Sequence, residues 1–226
     1  MAKTDLQELL SARRSIRGFL TDSVPKSTIE RVLQLARSAP SGANLQPGRF
    51  TALTSDALKE LSDTLIQAIR NGRPIVSEYS YFPTPLPDHL LARKRETGFG
   101  LYDALNIAKR DIKARKKQFE ENYRFFGAPV GIVVSIDKRM GKGCFMDLGM
   151  AIQNLLIGAE TEGLSSCGIG ALANYGDLVH EHLNLADEEI VVCGIAMGFS
   201  DPDNPVNNFK TPRVDLDEFT SFLGFD

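Results

Sequence analysis

Two long apolar segments constrain the fold of this chain more than any other feature. Residues 129–136 (PVGIVVSI) form an uninterrupted apolar run rich in β-branched side chains, which is typical of a strand buried on both faces. Residues 146–163 (MDLGMAIQNLLIGAETEG) have helical spacing but are apolar around most of the circumference. Such a helix must be covered on most sides, so we expect it inside the domain or at a subunit interface.

The other segments mix the two element types without a strict strand–helix–strand order. Strands are predicted at residues 49–54, 129–136, 164–169 and 190–199. Helices are predicted at residues 5–12, 27–39, 56–70, 101–121, 146–163 and 177–183. Ser27 and Glu30 have the spacing of a capping box, and Pro40 predicts the end of that helix at Ala39. The mixture favours a layered α+β domain over a doubly wound parallel sheet.

Two segments lie outside this pattern. Residues 73–100 carry several prolines and aromatic side chains, which in so long a connection indicate an ordered excursion rather than a flexible linker. The basic run at 109–117 indicates a solvated helix face, with a patch for an anionic substrate or partner as the alternative. We therefore expect a single domain over residues 1–226, with a lid-like excursion at about 73–125 and a C-terminal arm at about 201–226.

Charge, hydropathy and cysteine content exclude several classes of protein. Lys and Arg number 26 against 29 Asp and Glu, so the net charge of −3 gives no overall field for nucleic acid. No apolar run reaches the roughly 20 residues of a membrane helix, and the first ten residues lack the apolar core of a signal peptide. The three cysteines form no CxxC pair, which favours a reducing compartment. We expect a soluble cytoplasmic protein without nucleic-acid or membrane partners.

Known catalytic and metal-binding patterns are not found in the sequence. His89, His180 and His182 have no recognised ligand spacing with cysteines or carboxylates, so we expect no metal site. There is no GxSxG, Walker or Rossmann GxGxxG motif, and the turn at 168–170 lacks the third glycine of the dinucleotide fingerprint. A nicotinamide cofactor, if used, would therefore bind transiently at another site.

The segment RRSIR and the loop PSGANLQP, joined by one predicted helix, carry complementary chemistry. Guanidinium groups with a hydroxyl suit a phosphate, and side-chain amides with closely spaced backbone N–H groups suit the edge of a heteroaromatic ring. A phosphate and a polar planar ring together describe a mononucleotide. The alternative from these residues alone is a solvated basic turn followed by an ordinary loop.

RRSIR followed by APSGANLQP resembles the entry signature of the FMN-dependent nitroreductase family. GLSSCGIGAL and KTPRVDLDEF fall in the family's order, and the resemblance spans nearly the whole chain. It implies a central mixed or antiparallel sheet flanked by helices, in an intertwined homodimer with FMN at the interface. It also implies an NAD(P)H-dependent reductase of nitroaromatic compounds with a ping-pong hydride transfer. FMN would carry the chemistry, NADH or NADPH would be the co-substrate, and we expect no catalytic side chain.

The resemblance assigns cofactor-binding roles by position. Residues matched to the FMN phosphate, ribityl chain and one ring edge are Arg13, Arg14, Ser15 and Arg17. Residues matched to the loop beside the isoalloxazine are Pro40, Ser41, Asn44 and Gln46. The turn matched to the ring's N5 and O4 comprises Gly168, Ile169 and Gly170, and the C-terminal phosphate pair is Lys210 and Arg213. Arg17 is expected nearest the ring, where positive charge stabilises reduced flavin. Lys210 has the alternative of an ordinary surface lysine.

The acceptor is expected to be a small aromatic compound, and the residues expected to contact it are Ala43, Tyr79, Tyr81 and Phe82. The chain departs from the family in having Gly48 where tryptophan often follows the loop, and Gly170 where many relatives have glutamate. Two other activities remain open within the family, reductive dehalogenation and reduction of quinones or free flavin. A different class, a non-catalytic module using RRSIR as an anion-binding arm, is disfavoured by the net charge and the glycine turn.

Overall fold

A four-stranded antiparallel sheet organises the computed structural model, which describes residues 6–225. Its strands are β1 (Gly48–Thr54), β2 (Val130–Asp137), β3 (Ser165–Ile169) and β4 (Glu189–Gly198). The strand order is β1-β2-β4-β3, and each neighbouring pair is antiparallel. The α+β prediction is confirmed, and the predicted strands match to within one residue at each end.

Eight α-helices surround the sheet within residues 6–225. They are α1 (Leu6–Ala12), α2 (Lys26–Arg37), α3 (Ser55–Arg70), α4 (Asp88–Ala104), α5 (Ile112–Glu120), α6 (Lys142–Thr161), α7 (Gly176–Leu183) and α8 (Leu216–Phe219). Short 3₁₀ segments cover Gly42–Asn44, Glu121–Gly127, Gly170–Asn174 and Pro205–Asn208. The first residue predicted for the N-terminal helix, residue 5, lies outside the part of the chain that the structure describes, as does the last residue of the predicted arm.

Two apolar cores lie on opposite faces of the sheet. Alternation along β2 directs Ile132 into the core that includes α2 and α6, and Val133 into the core that includes α3 and α7. Both side chains are completely buried. A central strand covered on both faces needs apolar residues at nearly every position, which explains the long apolar run in the sequence. The exception is the buried Ser135, whose hydroxyl donates to the Glu189 carboxylate.

The capping box predicted at Ser27 is wrong. Helix α2 begins at Lys26, the N-cap position is Pro25, and no side chain caps it. The backbone N–H groups of Thr28 and Ile29 donate to the Pro25 carbonyl, at 3.0 and 3.3 Å. Ser27 therefore already lies in the first turn, where its hydroxyl is not placed to cap the helix.

The helix predicted at 101–121 is two helices, and residues 88–100 are helical rather than irregular. Helix α4 starts directly after Pro87, the last proline of the excursion, so nothing prevents a helix from Asp88 onward. The chain then breaks at Asn106, which has a φ of 54°. Helix α5 restarts because the Asp111 side chain accepts a hydrogen bond from the Ala114 N–H.

Helix α6 begins at Lys142, one turn before the predicted start, and one of its faces is uncovered. Leu148 and Leu155 are buried against the sheet and α2. Met146 is 69% exposed on the same helix.

No helix within residues 6–225 is both long and apolar enough to cross a membrane.

Replacing Ile132 with alanine should lower the free energy of unfolding by about 2–5 kcal/mol, because it leaves a cavity at the centre of the sheet. The matched control is Ile112→Ala, at a position 66% exposed, which should change stability by less than about 0.5 kcal/mol. Urea unfolding at one protein concentration measures both. Equal effects would contradict the placement of the core.

Candidate functional site

The arginine-rich segment lies along the outer edge of β3. Ser15 pairs with Ser166 in a parallel bridge, and the Ile16 N–H donates to the Ser166 carbonyl at 3.0 Å. The Arg17 side chain stays beside this strand, because its Nη1 donates to the Ser15 carbonyl at 3.3 Å and its charge acts on the Cys167 thiol. The backbone after Arg17 turns toward the end of β4, where the Asp201 N–H donates to the Gly18 carbonyl at 3.1 Å. The structure thus places the Arg17 side chain beside β3, the strand that leads into the glycine turn at 168–170.

Cations from both ends of the chain line one cleft of about 260 Å³. Its lining residues are Leu10, Ser11, Arg13, Arg14, Lys210, Thr211 and Arg213. The Arg213 guanidinium is held by its own segment, donating to the Thr211 hydroxyl at 3.0 Å and to the Pro212 carbonyl at 3.1 Å. Arg13, Arg14, Lys210 and Arg213 take part in none of the ion pairs found among residues 6–225. The Glu160 carboxyl is close enough to interact with the charges of Arg13 and Arg14, but none of the four cations is engaged in an ion pair, so the cleft suits a multiply charged oxyanion.

Thr211 is a residue of this cleft that sequence reasoning missed. Its hydroxyl accepts from Arg213 and so fixes the direction of that guanidinium. The sequence feature that could have identified Thr211 is its position between Lys210 and Arg213 in KTPR. A hydroxyl between two cations can donate a hydrogen bond to a phosphate, and this adds to the attraction of the two charges.

The glycine turn is open on one side and covered on the other. A Cβ added at Gly168 would meet no atom within 4 Å, so the main chain is approachable there. A Cβ at Gly170 would lie 3.0 Å from Cε2 of Tyr81. Tyr81 therefore packs over the end of the turn, and a larger residue at 170 would displace it.

The predicted substrate aromatics gather beside this turn in a second cleft of about 410 Å³. It is lined by Ser77, Tyr79, Ser80, Tyr81, Phe82, Gly170, Ala173 and Asn174. The Tyr79 hydroxyl donates to the Val192 carbonyl at 2.5 Å, which anchors the excursion to β4. Burial raises the pKa of Tyr79, so its phenol stays protonated. Tyr81 and Phe82 meet edge to face with ring centroids 4.7 Å apart and remain largely exposed.

The loop at 40–47 has its own rigid geometry. The Gly42 N–H donates to the Asp147 carboxylate of α6 at 3.1 Å, and the Gln46 N–H donates to the Ser41 hydroxyl at 3.0 Å. Three non-glycine residues of the loop have positive φ, namely Ala43, Asn44 and Gln46. Gly48 packs directly against Leu148, because an added Cβ would overlap that side chain. Leu148 therefore packs against the position at which the family often has tryptophan.

Within a single chain, the loop at 40–47 lies far from the cationic cleft. Gly48 aligns across β2 with Ile190, whereas Ser166 aligns with Met197 on the same strand β4. Seven residues along β4 span roughly 23 Å, and three strand spacings of about 4.8 Å separate β1 from β3. The loop and the arginine segment thus lie at opposite corners of the sheet. Pro40, Ser41, Ala43, Asn44 and Gln46 are the predicted site residues that stand apart from the others.

The electrostatics around the arginine segment favour binding over acid–base chemistry. Burial raises the pKa of Glu160, and Arg13 and Arg14 offset part of that rise. Burial also raises the pKa of the Cys167 thiol, against smaller opposing effects of Arg17, Ser15 and Arg13. Cys167 is therefore held as a protonated thiol rather than a nucleophile. The arrangement can hold an anion beside the start of β3 and an aromatic molecule beside the glycine turn that follows β3. Neither the Glu160 carboxyl nor the Cys167 thiol is activated by its surroundings.

The fold and these clefts define a class of protein: an α+β chain with an oxyanion site built from both termini and an aromatic cover at one corner of an antiparallel sheet. Comparison with known sequences gives the family. The profile of the nitroreductase family matches residues 10–199. The chain belongs to the nitroreductase family.

Individual relatives match over nearly their whole lengths. The chloronitrobenzene nitroreductase of Comamonas testosteroni is 34% identical over 220 residues, covering 96% of each chain. The 4-nitrobenzoate reductase of Pseudomonas putida is 32% identical over 222 residues, covering 98% of this chain and 97% of the relative. The crystal structure of the FMN- and NADPH-dependent nitroreductase NfnB from Sphigopyxis sp. strain HMH superimposes with a TM-score of 0.95 at 36% identity, covering 98% of this chain and 100% of the other.

Proposed function

We propose that this chain is an FMN-dependent oxidoreductase that uses NADPH or NADH to reduce nitroaromatic compounds. The observation that carries the proposal is the cleft where Arg13 and Arg14 meet Lys210 and Arg213. Full-length similarity to relatives named as reductases of chloronitrobenzene and 4-nitrobenzoate supports the acceptor class. The FMN and NADPH dependence stated for the similar crystal structure supports the cofactor and the donor.

The residues present fit the phosphate end of FMN. A dianionic phosphate needs several donors of positive charge, and the cleft offers four cations with a hydroxyl between two of them. Arg17 would lie toward the polar edge of the ring, because its side chain stays beside β3, the strand that leads into the glycine turn. Gly168 would let the main chain approach the ring closely.

Bound FMN would supply the electron transfer between a nicotinamide and a nitro group. The chain's own part is to hold, orient and cover the reacting molecules. Arg17 would favour negative charge at the ring edge, and Tyr79, held to β4, would keep the aromatic cleft in place. With both the phenol of Tyr79 and the thiol of Cys167 held protonated by burial, we propose that protons come from water.

Residues 73–125 would act as the cover that selects the acceptor. Tyr81 is 63% exposed and Phe82 is 46% exposed, so their rings present apolar surface to the cleft rather than to the core. A flat, largely apolar acceptor would stack there more favourably than a bulky one. The names of the relatives favour nitroaromatic acceptors over halogenated phenols, quinones or free flavin.

A homodimer would complete the site. The loop at 40–47 lies at the far corner of the sheet within one chain, so a second copy would have to bring its loop to the ring. Met146 on α6 and the arm residues Phe219, Phe222 and Leu223 are all more than 60% exposed. Burying large apolar side chains is worth roughly 1.5–3 kcal/mol each, which favours a partner surface for them. The three free cysteines support a cytoplasmic location for this dimer.

Arg213→Ala should weaken FMN binding by about tenfold to a hundredfold, because a charge-assisted hydrogen bond contributes roughly 1.5–3 kcal/mol. Quenching of flavin fluorescence on titrating the apoprotein gives the dissociation constant. The control is Arg110→Ala, an exposed arginine outside the cleft, which should leave the affinity unchanged within about twofold. Unchanged FMN affinity in the Arg13→Ala/Arg213→Ala double variant would remove the phosphate assignment.

Replacing Tyr79, Tyr81 and Phe82 with alanine should change the ranking of acceptors while flavin stays bound. The aromatic cover is lost, but no cation of the cleft is touched. A steady-state panel with nitrobenzoate, a quinone and a halophenol, run with NADH and with NADPH, measures the ranking. An unaltered ranking with altered flavin content would contradict the proposed cover.

Deleting residues 215–226 should lower dimer stability and flavin retention together, although Lys210 and Arg213 remain. The arm's apolar side chains would then have no partner surface to bury. Sedimentation velocity with detection at the flavin absorption band, about 450 nm for the cofactor itself, follows both quantities. A flavin-loaded monomer, with or without the arm, would contradict the shared site.

A further inference from the structure

Asn207 joins the two ends of the chain immediately behind the cationic cleft. Its side chain is buried, with 7% exposure, and both of its polar atoms are fully used. The Oδ1 atom accepts from the backbone N–H groups of Arg17 at 2.9 Å and Gly18 at 3.2 Å. The Nδ2 group donates to the carbonyls of Gly18 at 2.8 Å and Asp201 at 2.9 Å.

The same residue also receives one of the cleft arginines. Arg14 donates through Nη1 to the Asn207 carbonyl at 3.1 Å. Asn207 therefore contacts Arg14, Arg17 and Gly18 of the N-terminal segment. Asn207 itself belongs to the C-terminal segment, three residues before Lys210. Gly18 is needed at this junction, because a Cβ there would overlap Asn204. The junction is closely packed as well as hydrogen-bonded.

We propose that Asn207 is the positioning residue that sets the spacing between the two halves of the phosphate-binding cleft. This inference rests on the proposed function, since it assigns to Asn207 a role toward the FMN phosphate without contact with it. The Arg13–Arg14 pair and the Lys210–Arg213 pair repel each other when no anion lies between them. Hydrogen bonds from an uncharged side chain can hold the two segments together against that repulsion without neutralising the cations.

An amide is the side chain that this junction requires. It offers two donors and an acceptor without adding charge, and the junction uses all of them. A carboxylate of the same shape would lose both donors and face the Gly18 and Asp201 carbonyls. An apolar side chain would leave the buried N–H groups of Arg17 and Gly18 without a partner.

The test compares FMN with riboflavin, which has the same ring and ribityl chain but no phosphate. Their dissociation constants are measured on the purified full-length apoprotein for the wild type, Asn207→Asp and Asn207→Ser. The first variant keeps the shape, and the second removes the amide without adding charge. Asn208→Asp is the matched control, because it places the same charge at the adjacent exposed position.

Both Asn207 variants should weaken FMN by at least about tenfold while riboflavin changes by less than about twofold, and Asn208→Asp should change both by less than about twofold. In a Lys210→Ala/Arg213→Ala background the Asn207 substitutions should cost less than about twofold, because the half-site that they misplace has been removed. Equal losses of affinity for FMN and riboflavin would overturn the positioning role. So would an Asn207 substitution that weakens FMN binding by the same factor in that background as in the wild type.

Hydrogen exchange on the wild-type protein covers the case in which the variants do not fold. Saturating FMN should slow exchange at the amides of Arg17 and Gly18 at least about fivefold more than saturating riboflavin does. Equal slowing would show that the junction does not respond to the phosphate. A wild-type protein that binds neither flavin would sink the proposed function itself, whereas a wild type that prefers FMN with unchanged Asn207 variants would sink this inference alone.

Discussion

Four cationic side chains from opposite ends of the chain line one cleft, and they repel one another whenever no anion lies between them. The structure holds them by contacts that carry no net charge. The Arg13–Arg17 segment pairs with β3 through backbone groups, and Arg213 is directed by Thr211. Because none of the four cations forms an ion pair with a carboxylate of the described residues, their charge is available to a ligand. The two ends of the chain thus bring together the charges that the proposed phosphate site needs.

The sheet decides which other groups can join those cations. Strand β3 runs from the arginine segment to the glycine turn, and the excursion reaches the same turn through Tyr81 and the neighbouring strand through Tyr79. An anion site, an approachable main chain and an aromatic cover therefore follow one another along one edge of the sheet. The loop at 40–47 precedes β1, on the other edge, and this position is what makes a second copy of the chain part of the proposed site.

The sequence predicted the parts of this arrangement that depend on local pattern. The strands were located to within a residue because a sheet with helices on both faces demands runs such as PVGIVVSI. The helix after Pro87 was missed because its weak apolar periodicity gives no clear face, and the break at Asn106 depends on a backbone conformation that periodicity does not report. The capping box at Ser27 failed because Pro25 already fixes the start of the helix.

The candidate site was predicted in its chemistry but not in its geometry. RRSIR was assigned to the phosphate, ribityl chain and one ring edge of FMN, and Lys210 and Arg213 of KTPR to the phosphate. In the structure, Arg13 and Arg14 of the first segment line one cleft with Lys210 and Arg213 of the second. The loop PSGANLQP was placed with them by order along the chain, yet spacing in sequence does not show on which side of a sheet a loop falls. Asn207 had no signal at all, because the asparagines of the segment NPVNN are typical turn residues and nothing in the sequence indicates the distant partners of Asn207.

The most direct test of the account is the ratio of FMN to riboflavin affinity in the wild-type apoprotein, measured at low and at high salt. If the four cations bind the phosphate, FMN should bind at least about a hundredfold more tightly than riboflavin, since two charge-assisted bonds suffice for that factor. The ratio should fall as salt screens the partly exposed cleft. Equal affinities for the two flavins at low salt would contradict the central claim.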